Sequence, residues 1–158
     1  MIKVAVLTIS DRCFKGECED KSGKTIADMV NKGVGRVVQY DIVPDEQAMI
    51  EDKIIGYCDD MKVDFVLTTG GTGLGSRDVT PEATRKIAEK IIPGISEFMR
   101  SEGLRKTKNS MLSRGISVVR GRTIIINLPG SPKGAKESLE AVLDIIPHAL
   151  DMMKDKGH

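Results

Sequence analysis

Asp78 closes the run Thr69-Gly70-Gly71-Thr72-Gly73-Leu74-Gly75-Ser76-Arg77-Asp78, where glycines and hydroxyl side chains lead to a cation and a carboxylate. The glycines free the backbone to take positive φ and to approach a ligand closely, while Thr69, Thr72 and Ser76 add hydroxyls. Such a loop can present N–H donors to a phosphate, Arg77 can meet the same anion, and the Asp78 carboxylate can hold Mg²⁺. It is not a Walker A loop, because no Gly-Lys-Ser/Thr follows, and it lacks the G-x-G-x-x-G spacing of dinucleotide sites. Asp78 is equally suited to capping the turn that it ends.

Further candidates stand at other breaks between apolar runs. Ser10-Asp11-Arg12 follows Ile2–Ile9, Asp45 follows Val43-Pro44, and Pro129-Gly130-Ser131-Pro132-Lys133-Gly134 follows Arg122–Leu128. Each has a plainer role open to it. Asp11 and Arg12 can pair within their loop, Asp45 can cap a helix, Ser131 can shape its turn, and Lys133 can simply be solvated.

Positioning these residues requires alternating strands and helices. Ile2–Ile9, Arg36–Val43 and Asp64–Thr69 are apolar, β-branched runs of buried-strand type. A polar loop spans Cys13–Gly23, and helical spacing follows over Lys24–Lys32 and after Pro44-Asp45-Glu46. Thr80 as N-cap, Pro81 at the first helical position and Glu82 in the first turn start a helix that is expected to reach about Lys90. A second helical stretch runs past Pro93-Gly94 to about Arg105. Two strands, Ile116–Arg120 and Arg122–Leu128, meet at Gly121 as a hairpin, which makes the sheet mixed. The terminal helical region carries Leu139, Val142, Leu143, Ile146, Leu150 and Met153 on one face, with Pro147 bending or dividing it. Met29, Met49 and Met99 are assigned to core packing. The expectation is one α/β domain over 1–158. In an open α/β sheet, ligands bind outside the carboxyl ends of the strands, so four loops are expected to converge there.

Composition narrows the function. The 24 basic and 23 acidic residues leave a net charge of +1, with no basic stripe, and there are only three Phe and two Tyr, so nucleic-acid binding lacks its usual footprint. No apolar run approaches membrane-spanning length, and Met1 opens directly into a strand pattern, from which a cytoplasmic protein is expected. Cys13, Cys18 and Cys58 form no C-x-x-C pair, which argues against a disulfide framework or a zinc site. His148 and His158 lie outside every candidate motif.

Several of these segments, in order, resemble one family. TTGGTGLGSRDVTPEAT (Thr68–Thr84), MLSRG (Met111–Gly115) and LPGSPKGAKESLEA (Leu128–Ala141), with ISDRC (Ile9–Cys13) and VPDEQAMI (Val43–Ile50), are similar to the MogA/MoaB group of molybdenum cofactor biosynthesis proteins, relatives of the plant and gephyrin G domains. The resemblance implies a three-layer α/β/α sandwich with a mostly parallel, partly mixed sheet, assembled as a trimer or hexamer. It also implies transfer of AMP from ATP to the terminal phosphate of molybdopterin, with Mg²⁺ and release of pyrophosphate, and contact with other molybdenum cofactor biosynthesis proteins. The family's acids carry over to Asp45 and Asp78, and its phosphate loop to Thr69, Gly70, Gly71, Thr72 and Gly73. Ser10, Asp11, Ser113, Gly130, Ser131 and Pro132 match further pocket segments. Many relatives carry an amide where Ser131 stands, so a hydroxyl replaces any contact made there.

Elementary chemistry agrees with that implication. A substrate phosphate already supplies the nucleophile, so positioning, a metal and charge stabilisation suffice. Two other readings use the same residues. One is a pterin- or nucleotide-binding scaffold without turnover, and the other is a competence-damage-type domain acting on pyridine nucleotides.

Overall fold

The computed structural model describes residues 1–155; His158 lies outside them. The chain runs β1 (Lys3–Ile9), α1 (Asp11–Phe14), α2 (Lys21–Gly33), β2 (Arg36–Val43), α3 (Gln47–Ile55), β3 (Phe65–Thr69), α4 (Thr80–Lys86), β4 (Lys90–Ile91), α5 (Pro93–Leu104), β5 (Ser117–Arg120), β6 (Thr123–Leu128), α6 (Pro132–Val142) and α7 (Ile146–Met153). The strands form one sheet in the order β2-β1-β3-β6-β5-β4. The first four are parallel, and β5 and β4 add antiparallel pairs at one edge.

Both faces of the sheet are covered, which is why the central strands β1, β3 and β6 are buried along almost their whole length and read as mainly apolar runs instead of alternating ones. Along β1, Val4 and Val6 point into one core with Ile26 of α2, Met99 of α5, Leu139 of α6 and Leu150 of α7. Their neighbours Ala5, Leu7 and Ile9 point into the other, with Ile50 and Ile54 of α3 and Ala83 of α4. The period of two thus divides one strand between two layers, giving the expected three-layer sandwich.

The parallel arrangement puts Ile9, Val43, Thr69 and Leu128 at the same sheet edge. All four predicted loops leave from there.

Local structure departs from expectation at several points. Thr80 is the first residue of α4, preceded by Val79, and does not cap it. Its hydroxyl instead donates to the Gly70 carbonyl (2.9 Å), tying the helix to the glycine loop. The helix stops at Lys86, because Lys90–Ile91 pairs antiparallel with Val118–Val119, and Pro93 starts α5. The polar segment after β1 holds α1, and α2 begins at Lys21 with the Asp20 side chain as its cap. The terminal helical region divides at a 3₁₀ turn over Leu143–Ile145, with Pro147 in the first turn of α7. Met99 is buried and Met29 packs on the core, whereas Met49 is 43% exposed and belongs to the surface. The hairpin turns at Gly121, with φ +57°.

Candidate active site

A cavity of about 760 Å³ lies at the shared strand edge. Of the residues predicted from sequence, Ser10, Asp45, Thr69, Gly70, Gly71, Asp78, Gly130 and Pro132 line it. The loop that enters it depends on its glycines. Gly70 has φ +101°, and a Cβ there would lie 2.2 Å from the Ile9 carbonyl oxygen. Gly71 has φ +68°, and its Cβ would lie 2.1 Å from the Thr80 hydroxyl. The loop therefore sits against the end of β1 and the start of α4 with no room for side chains. The Thr69 hydroxyl donates to the Pro129 carbonyl (2.6 Å), which fixes the first loop to the last.

Asp78 has both roles open to it in the sequence. Its Oδ2 accepts from the Gly75 N–H (2.9 Å), holding the turn, while the residue lines the cavity.

Asp45 is not a helix cap. Its Oδ2 accepts from the Asp11 N–H (2.9 Å), and Asp11 Oδ1 accepts in return from the Asp45 N–H (3.0 Å), so the ends of β1 and β2 clasp each other. Asp11 pairs with Arg77 and not with its neighbour Arg12: Nε and Nη2 of Arg77 donate to its two oxygens at 3.1 and 3.0 Å, and Nη2 also donates to Glu46 Oε1 (2.8 Å). This holds the Asp11 carboxyl below its ordinary range, first through the Arg77 hydrogen bonds and then through the Asp45 N–H. Arg77, expected to meet phosphate, is engaged by two carboxylates. The Asp45 carboxyl is pushed up, chiefly by burial and then by the charges of Asp11 and Asp78.

Thr72 and Gly73 lie on the far side of the loop, held by a residue the sequence reading passed over. The Arg114 N–H donates to Thr72 O (2.9 Å), and its guanidinium donates to Gly73 O and Asp78 O (both 2.8 Å) and to Glu82 (2.7 and 3.2 Å). Arg114 thus fixes the loop carbonyls so that their N–H groups and the Asp78 side chain keep their direction. Its adjacency to Ser113 was the available signal. Asp20 was missed as well. It lines the cavity and accepts from Thr8 Oγ1 (2.6 Å), the Tyr40 hydroxyl and Gly23 N (3.0 Å). A Gly23 Cβ would overlap this cluster, a constraint that the sequence pattern does not reveal.

Ser113 and Ser131 line a second cavity of about 470 Å³, with Asn127, Pro129, Arg100 and Ser110. The turn after β6 is the ridge between the two: Gly130 and Pro132 face the first cavity, and Pro129 and Ser131 the second. A Gly130 Cβ would sit 3.3 Å from the Gly70 Cα, so the ridge packs directly on the glycine loop. Ser131 caps α6 by accepting from Gly134 N (3.0 Å) and keeps its own proton free to donate. Asn127, on the same cavity, has both amide N–H groups engaged, donating to Thr68 and Thr84, and its oxygen accepts from Ile116 N.

Among the described residues, no group of three or more His, Cys, Asp and Glu could hold a metal by itself. Two carboxylates facing one cavity do suit Mg²⁺, which takes one or two from the protein and completes its shell with water and substrate phosphate.

Residues 5–148 match the family model described as a probable molybdopterin binding domain. The chain belongs to this family. It is 44% identical over 154 residues to the molybdopterin adenylyltransferase of Helicobacter pylori strain J99, covering 96% of this chain and 88% of that one. It is 39% identical over 145 residues to the protein of the same name from Escherichia coli K12, covering 90% and 74%. Among solved structures, the molybdopterin biosynthesis enzyme MoaB of Thermus thermophilus superposes with a TM-score of 0.93 at 50% identity, covering 99% of this chain and 98% of that one. No described helix is long and apolar enough to cross a membrane.

Proposed function

We propose that this chain is a molybdopterin adenylyltransferase of molybdenum cofactor biosynthesis. An oxygen of the molybdopterin terminal phosphate attacks the α-phosphorus of ATP, a new P–O–P bond forms, and the bond to pyrophosphate breaks. The observation that carries this reading is the pair of cavities divided by residues 129–132, with the glycine loop and two carboxylates in one of them. The cavity beside the loop takes the phosphates, and the second takes the pterin.

In this reading the N–H group of Gly71 faces phosphate oxygens, while the Gly70 N–H donates to the Leu128 carbonyl (3.2 Å) and, with Thr69, Thr72 and Gly73, holds the loop's shape. Asp45 and Asp78 would hold Mg²⁺, which would supply neutralisation of the triphosphate charge. Asp11, itself held by Arg77, positions Asp45, and Ser10 adds a hydroxyl to the same wall. Ser113 and Ser131 hydrogen-bond the pterin across the ridge from Gly130 and Pro132. No side chain serves as a covalent nucleophile.

Self-association belongs to the same proposal, as a trimer or hexamer in the cytoplasm. Leu74, Phe98, Met111 and Leu112 leave apolar surface exposed, and light scattering reads the mass.

The test combines purified protein, molybdopterin, Mg²⁺ and α-labelled ATP. Label is expected in an adenylylated pterin, with ATP consumed only when molybdopterin is present. Tight pterin binding without label transfer would refute the enzymatic reading and leave a scaffold.

A further inference from the structure

The wall of the phosphate cavity carries two thiols that the adenylyl transfer does not use. Cys13 belongs to α1 and Cys18 to the segment leading into α2, and both line the cavity beside Asp20. Their sulfurs are 3.0 Å apart. The chain is folded to bring them together. Gly16 takes φ +77°, its N–H donates to Cys13 O (3.1 Å), and the Glu17 N–H donates to Arg12 O (2.9 Å), reversing the backbone between the two cysteines. Ser10 Oγ accepts from the Cys13 N–H (3.2 Å), seating one thiol against the strand end that carries the site. Cys58 is the remaining thiol and is buried in the other core layer, away from this pair.

We propose that Cys13 and Cys18 form a redox modification site for a disulfide-class oxidant such as oxidised glutathione. The thiolate of one cysteine attacks a sulfur of the external disulfide, which releases one thiol and leaves a mixed disulfide. The second cysteine then attacks the protein sulfur of that mixed disulfide and displaces the other thiol. The protein loses two electrons and two protons, and the external disulfide gains both as two thiols. Closing the sulfurs to a bond length of about 2.05 Å moves them together by about 1 Å. Because Asp20 is anchored by Thr8, Tyr40 and Gly23, the movement falls on Cys18 and α1, drawing these two parts of the cavity wall together and narrowing it between them. Disulfide formation and cavity occupancy therefore oppose each other, and the coupling is reciprocal. This second consequence rests on the reading of the cavity as the nucleotide site.

The experiment equilibrates the full chain in reduced and oxidised glutathione with and without Mg²⁺ and ATP, then quenches and reads intact mass and peptide mapping. A Cys13–Cys18 disulfide is expected, with Cys58 still reduced, and it is absent from Cys13→Ser and Cys18→Ser. Nucleotide should shift the thiol-to-disulfide ratio toward thiol by about fivefold or more, with ATP affinity of the oxidised protein lowered by the same factor. Persistent single glutathione adducts, or both thiols free in oxidising buffer while the variants stay folded by circular dichroism, would overturn the proposal. A disulfide that forms equally with and without ATP upholds the redox site and overturns its coupling to the cavity, while the nucleotide reading stands or falls on label transfer.

Discussion

The two cavities share the wall Pro129–Pro132 but are built from different chemistry. The larger is formed by backbone and carboxylates, with Gly70, Gly71, Asp45 and Asp78 arriving from the ends of parallel strands. The smaller is formed by hydroxyls, the amides of Asn109 and Asn127, and long cationic and glutamate side chains from α5, α6 and the segment leading to β5, with no glycine loop among the described residues of its wall. One is suited to charge and metal, the other to the edge of a polar ring. In the proposed function the difference separates two tasks, with transfer assigned to the loop edge and substrate choice to the face beyond the ridge. Substitutions on the two sides should therefore fail in different ways.

The largest effect is expected from Asp78→Asn. Losing one preorganised charge where transition-state charge develops should lower kcat by about 10² to 10³, with molybdopterin affinity little changed. Steady-state kinetics beside pterin fluorescence titration separates the two. Gly70→Ala comes next. It forces a side chain into a positive φ and against the Ile9 carbonyl, so stability should fall by at least about 2 kcal/mol in denaturant titration. Across the ridge, Ser131→Ala removes a helix cap and a donor. It should cost about 1 kcal/mol of stability and raise the KM for molybdopterin about threefold to tenfold, with the KM for ATP unchanged.

Asp45 gives the smallest stability effect and sharpens the comparison through pH. Burial raises its folded carboxyl above the unfolded value, so the folded chain binds that proton more readily. Its stabilising contribution is complete below the ordinary carboxylate range and is lost as pH rises through the raised value. Asp45→Asn, which keeps an acceptor for the Asp11 N–H, should match or slightly exceed the parent's unfolding midpoint near neutral pH. That gap should close toward about pH 4. Its transfer rate should nevertheless fall, since the charge lost is the one assigned to metal.

The phosphate loop was legible because its local pattern and its structural setting coincide. Phe65–Leu67 is apolar without a break and Thr68 and Thr69 after it are buried, because both sheet faces are covered, and Pro81 and Glu82 mark the helix that follows. What escaped the sequence depends on contacts between distant segments. Arg114 reaches back across the chain to the carbonyls of Gly73 and Asp78, and Asp11 holds Arg77 from the far end of β1. Lys90–Ile91 becomes a strand only because β5 offers an edge, against a helical periodicity that ran through it. The alternating turn at 129–132 places neighbouring residues in separate cavities, which spacing alone does not reveal.

The most direct measurement is single-turnover transfer from α-labelled ATP to bound molybdopterin, comparing the parent chain, Asp78→Asn and Ser131→Ala at saturating pterin. The account predicts that Asp78→Asn binds the pterin yet transfers almost no label, while Ser131→Ala at saturation transfers at close to the parent rate. Near-normal transfer by Asp78→Asn, or loss of transfer at saturating pterin in Ser131→Ala, would contradict the division between the cavities.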